Sequence, residues 1–300
     1  MTQTLKQPAQ TPKSLPEPPE ALKKRSQALV EKIKKRLQRH GQLPFSDFMQ
    51  MALYTPELGY YTSGLPKIGR QGDFVTAPEI SPLFSQSLAQ QCAQSLNELT
   101  APNIIEFGAG RGTMAHDLLL ALEQTAQGAR LEHSYIVELS AALKAEQQAL
   151  IAQLPERLAN KVVWLERLPA TPIEAVVLAN EVLDAMAFER LRLEPEQSLR
   201  AFVSFDEQTQ TFAWAYHPII EPQLQNFANR LIDALTPLPP QGYVTEVNLT
   251  YGPWLKTLAQ HLKRGLVLLI DYGYNREEYY QKARHMGTLR CHYQHLAHAD

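Results

Sequence analysis

The sequence predicts an α/β protein built on a Rossmann-like, doubly wound parallel sheet with helices on both faces. Three observations carry that prediction. Apolar runs at 104–107, 134–137, 162–165, 175–179 and 266–270 lack in/out alternation and are mostly separated by helical stretches, the pattern of strands buried on both faces. The first run leads directly into Gly108-Ala109-Gly110-Arg111-Gly112, and a helical stretch comes at once after it. Polar residues (Glu138, Asn180, Glu181 and Asp271) stand at the carboxyl ends of the strands, where open parallel sheets bind ligands.

The elements run in order. Residues 1–20 hold Gln, Thr, Pro and Lys with little to bury and are expected to be a disordered tail. Residues 21–40 form a helix with Leu22, Leu29, Ile33 and Leu37 on one stripe and Gly41 as its stop. Its many Lys and Arg residues suit an acidic partner, RNA or a membrane surface; equally, they suit a docked helix with a solvated basic face, which the apolar stripe favours. A second helix is expected over 46–54 with Ser46 as its cap. A Gly- and Pro-punctuated loop comes next, and then Ser81-Pro82 opens a helix over 83–96. Residues 21–100 thus form an N-terminal helical segment ahead of the sheet. From 101, strands alternate with helices at 113–123 and 141–153, and right-handed crossovers would wind the sheet both ways. After the fourth strand comes a β-rich insertion, about 187–245, with strands at 190–193, 201–205, 212–216 and 243–247 and a helix at 222–235. A last helix at 254–263 precedes the strand 266–270.

Composition narrows the function classes. The chain has 300 residues, 44% hydrophobic and 20% charged, enough for one large core. A net charge of −2 provides no field that would gather nucleic acid, so none is expected as a partner. Cys92 and Cys291 alone indicate no disulfide framework and fit a reducing compartment. The apolar runs are too short to span a bilayer, so no stable membrane insertion is expected. The N-terminus lacks a signal-peptide core and has no arginine before Arg25, which makes a cytoplasmic bacterial protein the simplest expectation.

The candidate chemistry lies at the strand ends. The turn is spaced G-x-G-x-G, and Thr113 occupies the position where a dinucleotide fingerprint needs its third glycine. This weighs against a nicotinamide oxidoreductase. The shorter turn is common among S-adenosylmethionine methyltransferases, whose cofactor carries no phosphate; an ordinary strand-to-helix turn is the plain alternative. Glu138, after the second strand, is placed to accept both hydroxyls of an adenosine ribose, or else is a solvated loop carboxylate. If a helix begins at Asn180, Glu181 and Asp184 share one face at i and i+3 and could hold a guanidinium by paired hydrogen bonds. Otherwise Asn180 caps that helix and the acids favour its positive end. Cys291-His292-x-x-His295-x-x-His298 is not expected to bind metal, since residues along an extended strand point to alternating faces.

Several motifs resemble the MidA-like family of S-adenosylmethionine-dependent methyltransferases. They are Gly72-Asp73-Phe74-Val75-Thr76-Ala77-Pro78-Glu79, Glu106-Phe107-Gly108-Ala109-Gly110-Arg111-Gly112-Thr113, Ala179-Asn180-Glu181-Val182-Leu183-Asp184-Ala185, Leu269-Ile270-Asp271-Tyr272-Gly273-Tyr274 and Gly287-Thr288-Leu289-Arg290-Cys291-His292-Tyr293. The resemblance implies a class I methyltransferase sheet and S-adenosyl-L-methionine as cofactor. For its mitochondrial members, which assist respiratory complex I assembly, it implies methylation of a protein arginine. It implies that Gly108, Ala109, Gly110, Glu138 and Asn180 hold the cofactor, that Asp73, Thr76, Pro78 and Glu79 cover it, and that Glu181 and Asp184 face the acceptor. A protein substrate and a homodimer are the partners expected. A non-catalytic assembly factor that retains the fold is the alternative function. Family members usually continue past His-Ala-Asp, so the C-terminal end is expected to be truncated at Asp300, with an open sheet edge.

Overall fold

The computed structural model describes residues 15–63, 69, 72–235, 237–239 and 242–298. Most of the tail expected at 1–20, residues 1–14, lies outside the described residues.

In chain order, α1 (Glu20–His40) and α2 (Phe45–Tyr54) flank the two-residue strand β1 (Leu43–Pro44). Then α3 (Ala77–Ile80) and α4 (Pro82–Asn97) lead into β2 (Asn103–Phe107), the glycine turn and α5 (Thr113–Glu123). The alternation continues through α6 (Ala126–Arg130), β3 (His133–Val137), α7 (Ala141–Ile151), α8 (Glu156–Ala159), β4 (Val162–Leu165) and β5 (Ile173–Asn180). Next come β6 (Glu189–Leu193), β7 (Ser198–Asp206), β8 (Thr211–Pro218), α9 (Pro222–Leu235) and β9 (Tyr243–Val247). The chain then forms α10 (Tyr251–Gln260), β10 (Leu262–Ile270), α11 (Arg276–Tyr279) and a hairpin of β11 (Cys291–Tyr293) with β12 (Leu296–His298).

Local signals explain many of the boundaries. Gly41, at φ +74°, donates its N–H to Leu37 and ends α1. The Ser81 hydroxyl accepts the Leu83 N–H at 3.2 Å and starts α4. Two boundaries differ from expectation. Ser46 does not cap α2: the helix begins at Phe45 behind Pro44, and the Ser46 hydroxyl donates to Glu189 at 2.6 Å. The helix expected at 254–263 begins at Tyr251 and ends at Gln260, because the chain from Leu262 to Ile270 is drawn into one long strand along β5.

The first sheet is wholly parallel, in the order β10-β5-β2-β3-β4. Counted by first appearance its strands run 3-2-1-4-5 from the β4 edge inward to β2 and out again, and the winding reverses between β2 and β5. Residues alternate between its two faces. Ile104, Ile136, Val176 and Leu178 pack on α4 and α5, whereas Ile105, Ala175 and Val177 pack toward Trp254 and Leu258 of α10. Each such buried Ile or Leu contributes roughly 1.5–3 kcal/mol.

The second sheet is antiparallel, in the order β1-β7-β6-β9, with β8 paired to β7. Leu191 and Leu193 of β6 alternate inward and meet Leu224, Ala228 and Leu231 of α9. Ile33 and Leu37 of α1 pack with Leu43 of β1, and Phe45 of α2 packs on Ala201 and Val203 of β7. The chain passes between the sheets from β5 to β6 and from β9 to α10, and both passages run beside the mouth of the parallel sheet.

Candidate functional site

The crevice at the winding reversal lies between the segments that leave β2 and β5: the glycine turn on one side, Asn180-Glu181 on the other. Gly108 leaves β2 at φ +63°, a left-handed conformation, and a Cβ there would lie 3.0 Å from a methyl group of Val182. Ala109 is buried, and Gly112, at φ +90°, is the N-cap of α5. A Cβ on Gly112 would come within 3.2 Å of Gln147 in α7. The turn is therefore set tightly against its neighbours and leaves its backbone facing the crevice.

Glu138 comes directly after β3 and is fixed on both oxygens. One accepts the Ser140 N–H at 2.7 Å, the other the Gln147 Nε2 at 2.9 Å. The same Nε2 donates to the Gly110 carbonyl at 2.9 Å, and the Gln147 Oε1 accepts from Trp164 Nε1 at 2.9 Å. Gln147, fully buried, thus joins the acid to the glycine turn. A carboxylate has about four acceptor positions, so two stay open for ligand hydroxyls.

The segment expected to cover the cofactor divides in two. Thr76 is the N-cap of α3, Pro78 is buried, and the Glu79 carboxylate accepts from the Thr113 hydroxyl. Arg111 lies 3.5 Å from Glu79 and 3.5 Å from Glu146, so α3 is stitched to the turn and to α7. Asp73 is engaged elsewhere. Its oxygens accept from the Tyr60 hydroxyl and the Gln294 N–H, both at 2.8 Å, and its carbonyl accepts the His295 N–H at 3.0 Å. Those bonds hold a tight turn in which Gln294 and His295 both have positive φ.

Glu181 and Asp184 do not lie on a helix. Glu181 is left-handed at φ +51°, and Leu183 and Met186 close a turn. The physical reason is Asp271, at the end of β10, whose carboxylate accepts the Asp184 N–H at 3.2 Å and holds the segment off a helical path. The turn still gathers the acids. The Asn180 amide and the Ala77 N–H donate to Glu181. Burial and the charges of Asp184 and Asp271 raise the Glu181 carboxyl above its usual range. Burial and Asp184 raise Asp271 likewise. Asp184 accepts from the Tyr272 hydroxyl through one oxygen, while the other, Oδ1, is buried with no hydrogen-bond partner. A buried carboxylate oxygen left in that state is costly unless a ligand supplies the donor.

Tyrosines wall this group. The Tyr54 hydroxyl donates to the Ala185 carbonyl and the Tyr251 hydroxyl to the Leu183 carbonyl, both at 2.9 Å. Tyr61 stacks on Tyr54 with ring centroids 5.5 Å apart. Burial and Asp184 push the Tyr54 phenol up to about 12. Burial raises Tyr61 and Tyr272 as well, with Asp184 adding to both. All three are neutral at pH 7. The sequence alone does not reveal Tyr54, Tyr61 or Tyr251, which lie outside the motifs, or that Asp271 accepts the Asp184 N–H. Nor does it reveal Glu106. That residue is fully buried on β2, and burial raises its carboxyl to about 8. Burial, with the Glu106 charge adding to it, pushes the Cys92 thiol up to about 12.

In the β11–β12 hairpin Cys291 pairs with His298, and among the described residues no group of three or more His, Cys, Asp or Glu could hold a metal. No described helix is long and apolar enough to cross a membrane.

The sheet order, the short glycine turn at the winding reversal and the acid after the next strand define a Rossmann-like methyltransferase class. Residues 87–300 match a family model described as "Putative S-adenosyl-L-methionine-dependent methyltransferase", and the chain belongs to that family. A crystal structure of a COG1565 superfamily member from Burkholderia thailandensis, bound to S-adenosyl-homocysteine, is similar to it. The two are 38% identical with a TM-score of 0.87, over 96% of this chain and 73% of that one. The native structure of a COG1565 superfamily protein from the same organism is 39% identical with a TM-score of 0.82, over 96% and 72%. The mitochondrial protein arginine methyltransferase NDUFAF7 homolog of Drosophila melanogaster is 28% identical over 96% of this chain and 69% of its own length. Its human counterpart is 26% identical over 78% and 57%. The cofactor is S-adenosyl-L-methionine, and the tight, glycine-rich turn beside a fixed carboxylate suits it.

The expectation of a cytoplasmic location is overturned by the Drosophila melanogaster and human relatives, which are named as mitochondrial. The expectation rested on an N-terminus without a signal-peptide core or an arginine before Arg25, together with cysteine usage; these report local composition and redox state, and fix no address.

Proposed function

We propose that this chain methylates an arginine side chain of a partner protein, with Glu181 and Asp184 facing the acceptor. The observation that carries the reading is the unpartnered, buried Asp184 Oδ1 within a group of three carboxylates at the sheet mouth. A guanidinium supplies planar paired N–H donors and the positive charge that this group lacks. Relatives named as protein arginine methyltransferases support it.

In this reading Gly108, Ala109 and Gly110 bring backbone against the cofactor and Glu138 takes its ribose hydroxyls. Asn180 orients Glu181, while Thr76, Pro78 and Glu79 close the wall. Asp73 supports the covering segment from behind. When bound, S-adenosyl-L-methionine supplies a methyl group activated by a sulfonium leaving group. The chain's own task is alignment and desolvation of the acceptor nitrogen. Glu181 and Asp184 orient the guanidinium and localise its lone pair on the attacking nitrogen. The proton released on methylation passes to a carboxylate whose raised affinity for protons suits it as acceptor. Tyr54 and Tyr61 shield the group on one side.

The proposal includes the domain organisation: 21–100 as an N-terminal helical segment with a cofactor-covering loop, and 101–300 as the methyltransferase domain with an insertion at about 187–245. So do a respiratory-complex subunit as acceptor and a homodimer as the working form, the latter checked by light scattering. The deciding experiment is mass spectrometry of methylarginine in cells carrying the wild-type chain or the double substitution Glu181→Gln, Asp184→Asn. Loss of one mark on one protein is expected. An unchanged methylarginine profile would sink the reading.

A further inference from the structure

We propose that the cavity between α2 and the chain segments 187–189 and 249–250 is a subsite for a cationic side chain of the substrate, two or three residues from the arginine being methylated. This rests on the arginine-methyltransferase reading above. The cavity encloses about 210 Å³ and is lined by Ser46, Asp47, Gln50, Ala187, Glu189 and Thr250 among others. Small-molecule sites run at roughly 300–1,000 Å³, so this volume suits one long side chain better than a cofactor or a whole metabolite.

Its walls adjoin those of the acceptor site. Ala187 lies three residues beyond Asp184, which places the two within about 11 Å along the chain. An extended peptide advances about 3.3 Å per residue, so that reach spans at most about three residues. Gln50 and Tyr54 stand at i and i+4 on one face of α2, and the Tyr54 hydroxyl binds the Ala185 carbonyl in the acceptor turn. Thr250 precedes Tyr251, whose hydroxyl binds the Leu183 carbonyl in that turn. A peptide with its arginine at Asp184 can therefore reach the cavity with a neighbouring side chain.

The charge selects the occupant. The Arg200 guanidinium binds Glu189 through Nε at 2.8 Å and Nη2 at 2.7 Å, and it also binds Glu221. Asp47 is near enough to act on the same guanidinium. One cation thus answers three carboxylates. Glu189 is taken up by Arg200 and by the Ser46 hydroxyl. Asp47, exposed at the mouth, is the acid left to meet an incoming lysine or arginine.

The test uses the full chain with S-adenosyl-L-methionine labelled in its methyl group and Gly/Ser peptides holding one central arginine. A single Lys, or a single Glu, is walked over four positions on each side. Lys at one offset of two or three residues should lower KM by about two- to fivefold, the range of an exposed ion pair. Asp47→Lys should cancel that preference and favour Glu at the same offset, with the change carried in KM. Equal KM values at all offsets, or the same Lys preference in Asp47→Lys, would overturn the subsite while leaving the arginine reading intact. If the wild-type chain binds the cofactor by calorimetry yet methylates none of the peptides, the arginine reading itself fails and the subsite falls with it.

Discussion

The two sides of the crevice differ in how their polar groups are paired. On the Glu138 side both carboxylate oxygens and the Gln147 amide oxygen and nitrogen have protein partners, down to the Gly110 carbonyl and the Trp164 indole. On the Asp184 side three carboxylates crowd together, two of them with raised proton affinity, and one buried oxygen has no partner. The first side is preorganised for a ligand that brings hydroxyls. The second holds crowded negative charge, which a cationic ligand relieves without protonation. A protein can thus keep one half of a crevice finished and leave the other to be completed by its substrate.

The comparison can be broken at several points. The largest effect is expected from Gly108→Val: a branched side chain at φ +63°, facing Val182 at 3.0 Å, should abolish cofactor binding in titration calorimetry. Asp184→Asn should lower kcat by about 100-fold or more, within the range of a lost acid–base or orienting group, while cofactor affinity changes little. An equal loss of cofactor affinity would show that the two sides are not separable. Gln147→Ala, which unties Glu138 from the glycine turn, should raise the cofactor Kd by roughly tenfold, as expected for a lost hydrogen bond to a charged group, with acceptor KM nearly constant. The smallest effect is a pH trend. The Glu181 and Asp271 carboxyls are raised in the free protein, and a cation binds their ionised forms. Acceptor binding should therefore be strongest above that raised range and weaken as pH falls through it. Cofactor affinity should stay flat over the same interval; a parallel decline would remove the electrostatic contrast.

Much of the first side was legible in the sequence. An apolar run without alternation, glycines two apart and an acid after the next strand are local signals, and the backbone obeys them because strand burial and positive φ are decided over a few residues. The second side was legible only in part. Glu181 and Asp184 stand out by position, yet the helix expected there is a turn, because Asp271 takes the Asp184 N–H from 87 residues away. The Ser46 cap failed for a similar reason: its hydroxyl is drawn to Glu189, 143 residues further along.

By itself, then, the sequence determined the parallel sheet and its glycine turn, since both rest on short-range periodicity and spacing, and the resemblance of its motifs to a known family supplied the kind of cofactor. Tertiary structure alone decided that Tyr54, Tyr61, Tyr251 and Tyr272 gather beside the three acids, that Gln147 ties Glu138 to Gly110, and that Glu106 is buried with its proton affinity raised. Those outcomes depend on desolvation and on charges meeting across distant segments, which exist only once the chain has closed on itself.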